Sequence, residues 1–123
     1  DKFHTYVILK LQNVKSSTLP VKGKNPVWDQ DFVFETMRLD TVLVIELWNK
    51  GLLWDKVLGT HWLPLATISI SNTDGDGQWI SIDSEIVLKN GETFGTQSPT
   101  GHHVLIDCRF EIPTYNNNNN NIG

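Results

Sequence analysis

Asn25-Pro26-Val27-Trp28-Asp29-Gln30-Asp31-Phe32-Val33-Phe34 is the stretch on which the fold turns. The Asn-Pro pair stiffens a turn, because the proline ring fixes φ and removes a backbone donor. From Val27 to Thr36 the residues then alternate, Trp28, Gln30, Phe32 and Phe34 on one side and Asp29, Asp31, Val33 and Glu35 on the other. Aromatic rings on one face and carboxylates on the other describe a strand with one side on a core and one in water.

The same period runs outward from this point. Phe3 to Val14 alternates Phe3, Thr5, Val7, Leu9 and Leu11 with His4, Tyr6, Ile8, Lys10 and Gln12, so it is a strand whose inner face is almost wholly apolar. Ser16 to Lys22 is rich in small and β-branched residues, and Pro20, which cannot donate to a ladder, makes it an edge or a bulge. Thr41 to Asn49 is nearly continuous apolar chain, as in a central strand covered on both sides. Val57 to Leu65, Gln78 to Asp83 and His103 to Ile112 complete seven short strands separated by Gly, Pro, Asn and Asp clusters. In the last strand Val104, Ile106, Cys108, Phe110 and Ile112 share one face, and Leu105, Asp107, Arg109 and Glu111 the other. Cys108 is therefore expected to be buried and inert. Ser84 to Gly101 reads as a long polar loop, and no stretch has a helical period. The pattern is that of an all-β, antiparallel sandwich.

With 123 residues the chain has room for one domain. Residues 1–113 are assigned to the sandwich, and 114–123, with six consecutive asparagines from Asn116 to Asn121, to a disordered tail. No apolar run is long enough for a membrane helix. The N-terminal residues carry neither an initiator Met nor an apolar leader, so the chain reads as part of a longer one. The net charge of −4 divides unevenly. Residues 1–24 carry five lysines against one aspartate, +4, and the rest sums to −8. That balance argues against nucleic acid as a partner, while Lys10, Lys15, Lys22 and Lys24 form a candidate patch for anionic phospholipid. The solvated-edge reading of the same lysines competes with it.

The Asn25 to Phe34 string, with Lys22 before it and the strand Val42 to Trp48 after it, resembles a C2 domain, over residues 3 to about 112. That resemblance implies an eight-stranded antiparallel β-sandwich. Phe3-His4-Thr5-Tyr6-Val7, Leu9-Lys10, Gln12-Asn13-Val14-Lys15-Ser16, Trp48-Asn49-Lys50-Gly51-Leu52, Trp54-Asp55 and Phe110-Glu111 with Pro113 narrow it further. They are similar to the first, non-calcium-binding C2 domain of the Munc-thirteen (Unc-thirteen) presynaptic vesicle-priming proteins. In that family one strand precedes the point at which this chain begins, so the first of eight is expected to be missing and its neighbours uncovered. The resemblance also implies a cytoplasmic module, peripheral at the presynaptic active-zone membrane. It would form a homodimer or, in exchange, a heterodimer with the zinc finger of the scaffold Rim. Carried over by position, Lys15 lies at the homodimer contact, joined by the outward row Tyr6, Ile8 and Lys10. Glu111 lies at the Rim contact, with Asp107 and Arg109 beside it.

No cofactor or metal is expected. Calcium takes 6 to 8 oxygen ligands, yet in Asn49-Lys50-Gly51-Leu52-Leu53-Trp54-Asp55 only Asp55 is acidic, and Lys50 and Lys56 repel a cation. Asn72-Thr73-Asp74-Gly75-Asp76-Gly77 with Asp83 approaches an EF-hand loop, but its first position is Asn, its last is the short Asp, and strands replace the helices. His102 and His103, adjacent on a strand, face opposite ways, and one cysteine makes no thiolate zinc site. No nucleophile elbow, Walker loop or His-Glu-x-x-His occurs, so the chain is expected not to be an enzyme.

Overall fold

The computed structural model describes residues 2–112. Its strands are β1 (His4–Leu11), β2 (Val14–Ser17), β3 (Val21–Lys22), β4 (Val42–Asn49), β5 (Lys56–Pro64), β6 (Gln78–Lys89) and β7 (Glu92–Ile106), with one 3₁₀ turn, Leu65–Thr67, after β5. All strand pairs are antiparallel, in the order β2-β1-β4-β5-β6-β7, and β3 extends the β1 edge past the break at Thr18 to Pro20.

The path folds back on itself between β5 and β6. These two strands share one register pair, Thr60 with Asp83. Inner faces on both sides of that joint feed one core: Val7 and Leu11 of β1, Leu43, Ile45 and Leu47 of β4, Leu63 of β5, Leu65, Ile80 and Ile82 of β6, and Val104 of β7. That is a sandwich, and the alternation of β1 shows in buried Thr5, Val7 and Leu11, broken only where Ile8 is also buried and Leu9 half-buried. Gly59 makes the joint close. A Cβ there would stand 2.6 Å from the Asp83 carbonyl oxygen and 2.6 Å from Ile82 Cγ2.

Three elements depart from the sequence reading. Val27 to Thr36 keeps its alternation, with Phe32 and Phe34 half-buried between exposed neighbours, but it is not a ladder strand. Asp29 has φ 48°, a left-handed kink. Side chains hold this segment instead. The Trp28 indole donates to the Thr5 carbonyl at 2.8 Å, Gln30 Oε1 accepts from the Leu19 amide at 2.7 Å, and Trp28 and Phe34 pack on the core. Ser84 to Gly101 is no loop: β6 and β7 continue through it as a ribbon turned at Asn90-Gly91, both at positive φ (54° and 81°), the pairing that two-residue hairpins favour. β7 ends at Ile106, so the expected strand to Ile112 stops six residues early. Beyond it one parallel bridge joins Phe110 to Ile70.

Candidate functional site

The side of β2-β1-β4-β5 turned away from the core is the feature with the most binding chemistry. Register places its residues in three rows. Lys15, Lys10, Val44 and Trp62 form one, Ser17, Ile8, Glu46 and Thr60 the next, and Tyr6, Trp48 and Val57 the third. On β4 buried Leu43, Ile45 and Leu47 alternate with half-exposed Val44, Glu46 and Trp48. The expectation that this strand is covered on both sides therefore fails, because no second layer lies over the outer face among the described residues. Trp48, Trp62 and Val44 were the residues missed. A near-continuous apolar run carries no mark of which alternate positions go uncovered.

The face is ordered by hydrogen bonds. Tyr6 and Trp48 stack with ring centroids 6.4 Å apart and planes 11° from parallel. Glu46 accepts from Trp48 Nε1 at 3.0 Å and from Lys10 Nζ at 3.1 Å, so the ring and the ammonium on either side of it share one carboxylate. Tyr6 donates to Asp55 Oδ2 at 2.5 Å, and Asp55 Oδ1 accepts from the Gly51 amide at 3.1 Å. Burial, then the Asp55 bond and charge, push the phenol up to about 12. The same hydrogen bond, followed by that from Gly51, holds the Asp55 carboxyl below its ordinary value.

Of the four residues expected at a self-contact, Tyr6, Lys10 and Lys15 are accessible on this face and Ile8 is buried. By register Ile8 points outward, but it is 7% exposed. Its register partner Glu46 is ion-paired with Lys10 at 3.1 Å. The four lysines divide between the two ends of β1. Lys10 and Lys15 are cross-strand partners at one end of β1. Lys22 pairs with His4 at the other, six residues and about 20 Å away, with Lys24 just beyond it.

Asp107, Arg109 and Glu111 lie past the end of β7, so they are not an outward row on a strand. They form a clasp. Arg109 reaches Glu111 Oε2 at 2.9 Å, Asp107 Oδ2 at 3.0 Å and Asp74 Oδ1 at 3.0 Å. Asp107 also accepts from the Gly75 amide at 2.9 Å, tying the 72–76 connection to the C-terminal segment. Glu111 remains exposed on its outer side.

Cys108 is half-buried rather than buried. That burial, then Asp107, pushes its thiol up, which disfavours the reactive thiolate. No three His, Cys, Asp or Glu side chains converge as a metal site among the described residues. Asp83, the last position of the EF-hand-like string, lies within β6 and accepts from Thr96 Oγ1 at 2.8 Å. Residues 113–123, including the asparagine run, lie outside the described residues. No described helix is long and apolar enough to cross a membrane.

Comparison with protein families matches residues 1–82 to the C2 domain, about two thirds of the chain, from the first strand to Ile82 of β6.

Proposed function

The chain belongs to the C2 domain family, a family of calcium-, lipid- and protein-interaction modules, and from that premise we propose that it is a calcium-independent protein-interaction domain that works through the outer face of β2-β1-β4-β5. The observation that carries this is the row structure of that face. Half-exposed Tyr6, Trp48 and Trp62 surround a carboxylate already paired with Lys10, and Lys15 stands at the edge without an ion pair among the described residues. Aromatic anchors beside a desolvated, satisfied charge and a rim cation make a typical protein-binding surface.

The partners follow from the likeness to the Munc-thirteen first C2 domain. They are a second copy of the chain, met face to face, and the Rim zinc finger, contacted at Glu111, in exchange for the homodimer at the presynaptic active zone. The two states are alternatives, so the partner acts as a switch on vesicle priming.

Sedimentation equilibrium over a range of concentrations tests the self-contact. A monomer–dimer equilibrium that Lys15→Glu and Trp62→Ala each shift to monomer is the expected result. A chain monomeric throughout, or a dimer indifferent to both changes, overturns it. Calorimetric titration with the Rim zinc finger tests the second contact, with binding lost in Glu111→Lys expected.

A further inference from the structure

The string Asn72-Thr73-Asp74-Gly75-Asp76-Gly77 lies between the 3₁₀ turn and β6, enters no strand and is exposed throughout. It puts Asp74 one residue and Asp76 three residues after Thr73, and no other serine or threonine of the chain has an acid at both positions. The connection is nonetheless anchored on either side of Thr73. Before it, the Ser71 amide donates to the Phe110 carbonyl at 2.8 Å and Asn72 Oδ1 accepts from the Ile112 amide at 3.2 Å. After it, the Gly75 amide donates to Asp107 Oδ2 at 2.9 Å.

Those anchors lay Thr73 against the C-terminal segment, close to Arg109. The guanidinium already holds Asp74, the next residue in the chain, at 3.0 Å, and neighbouring Cα atoms are about 3.8 Å apart. Arg109 is shared among Asp74, Asp107 and Glu111, so this cluster has one cation for three carboxylates. A stronger acceptor arriving at Thr73 must compete for it.

We propose that Thr73 is a phosphorylation site for an acid-directed protein kinase, and that the phosphate draws Arg109 away from Glu111. Kinases select substrates by charge pattern, and Asp74 and Asp76 offer theirs to a basic groove. An irregular, exposed connection can enter such a groove without breaking a ladder. The γ-phosphoryl group of ATP passes to Thr73 Oγ1. A bond forms between that oxygen and phosphorus, the bond from phosphorus to the bridging β,γ-oxygen breaks, ADP leaves, and the hydroxyl proton goes to the kinase's aspartate. The product carries a charge of about −1.5 to −2 and three acceptor oxygens, and a guanidinium binds phosphate through two parallel hydrogen bonds. Glu111, held by Arg109 at 2.9 Å, is the carboxylate released, with new negative charge beside it. That this strengthens the contact proposed at Glu111 rests on the partner reading above; the modification itself does not.

Incubation of the chain with casein kinase 2, ATP and magnesium, followed by tandem mass spectrometry, tests the site without any partner. One phosphate on Thr73 is expected, absent in Thr73→Val. Asp76→Asn should slow its transfer about tenfold, the loss of one charge-assisted contact. Both side chains are exposed, so folding should persist, and a circular-dichroism melt checks it. Phosphorus NMR of the modified chain then reads the cation. The phosphate should titrate at lower pH in the folded chain than in the same chain in urea, because Arg109 favours the dianion, and Arg109→Gln should abolish that difference. No phosphate on Thr73, phosphate on Ser71 instead, a rate indifferent to Asp76→Asn, or the same titration folded and unfolded would each overturn the proposal.

Discussion

Tyr6 and Asp55, forty-nine positions apart, share a 2.5 Å hydrogen bond that pins the β4–β5 loop to the middle of β1. The bond is at full strength only while the phenol is protonated and the carboxylate ionised. Two titrations bound that window. Asp55 is held below its unfolded value of 3.8, so the stability it contributes is present above that value and is lost as pH falls through the lower, folded one. Tyr6 is raised from 10.0 to about 12, so its contribution is intact below 10.0 and is lost as pH climbs toward 12. The tyrosinate absorbance difference between the native chain and Tyr6→Phe should therefore titrate near 12. An ordinary midpoint would show the bond to be weak in solution.

Gly59→Ala should loosen the one register pair, Thr60 with Asp83, that β5 and β6 share among the described residues. The added methyl meets the Asp83 carbonyl oxygen and Ile82 at 2.6 Å, too close for either to stay. Overpacking of this kind costs about 1–3 kcal/mol, read as a lower urea midpoint. Hydrogen exchange should locate the damage, with faster exchange in β6 near Asp83 and little change between β1 and β4.

Trp28→Ala should cost about 3 kcal/mol, since it removes a ring packed on the core and leaves the Thr5 carbonyl without its 2.8 Å donor. Trp28→Phe keeps most of the packing and should cost about 1 kcal/mol. Nearly equal losses would show that the hydrogen bond, not the ring, holds this segment.

Trp28 also shows how far the sequence could be read. Alternation identified which residues of the 27–36 segment face the core, and Trp28 and Phe34 do so, but alternation is a property of side chains and does not supply a partner for the backbone. The β1 and β4 inner faces were legible for the same reason. What was not legible lay outside the core. The ribbon of β6 and β7 carries Ile86, Leu88 and Phe94 in water, so its polar and apolar residues follow no buried face, and its plainest mark was Asn90-Gly91. Uncovered Trp48 and Trp62 could not be told from buried ones, because that depends on whether a second layer exists. The division of the lysines could not be read either, since Lys10 and Lys22 are separated by strand direction rather than by sequence distance.

Glu111→Lys is the charge reversal that separates a binding role from a structural one. The carboxylate is one of three on Arg109, and the other two, Asp107 and Asp74, each hold the guanidinium at 3.0 Å. Glu111 is also exposed on its outer side, and its bond to Arg109 is a surface pair of the kind that contributes little to folding. The urea midpoint of Glu111→Lys should thus stay within error of the parent chain. Arg109→Ala, by contrast, leaves Asp74, Asp107 and Glu111 facing one another without their shared cation, and should lower it. If Glu111→Lys unfolds the chain as readily as Arg109→Ala, loss of a partner in that variant reports the clasp and not a contact. If it leaves the fold intact, the same loss places the partner's charge at Glu111.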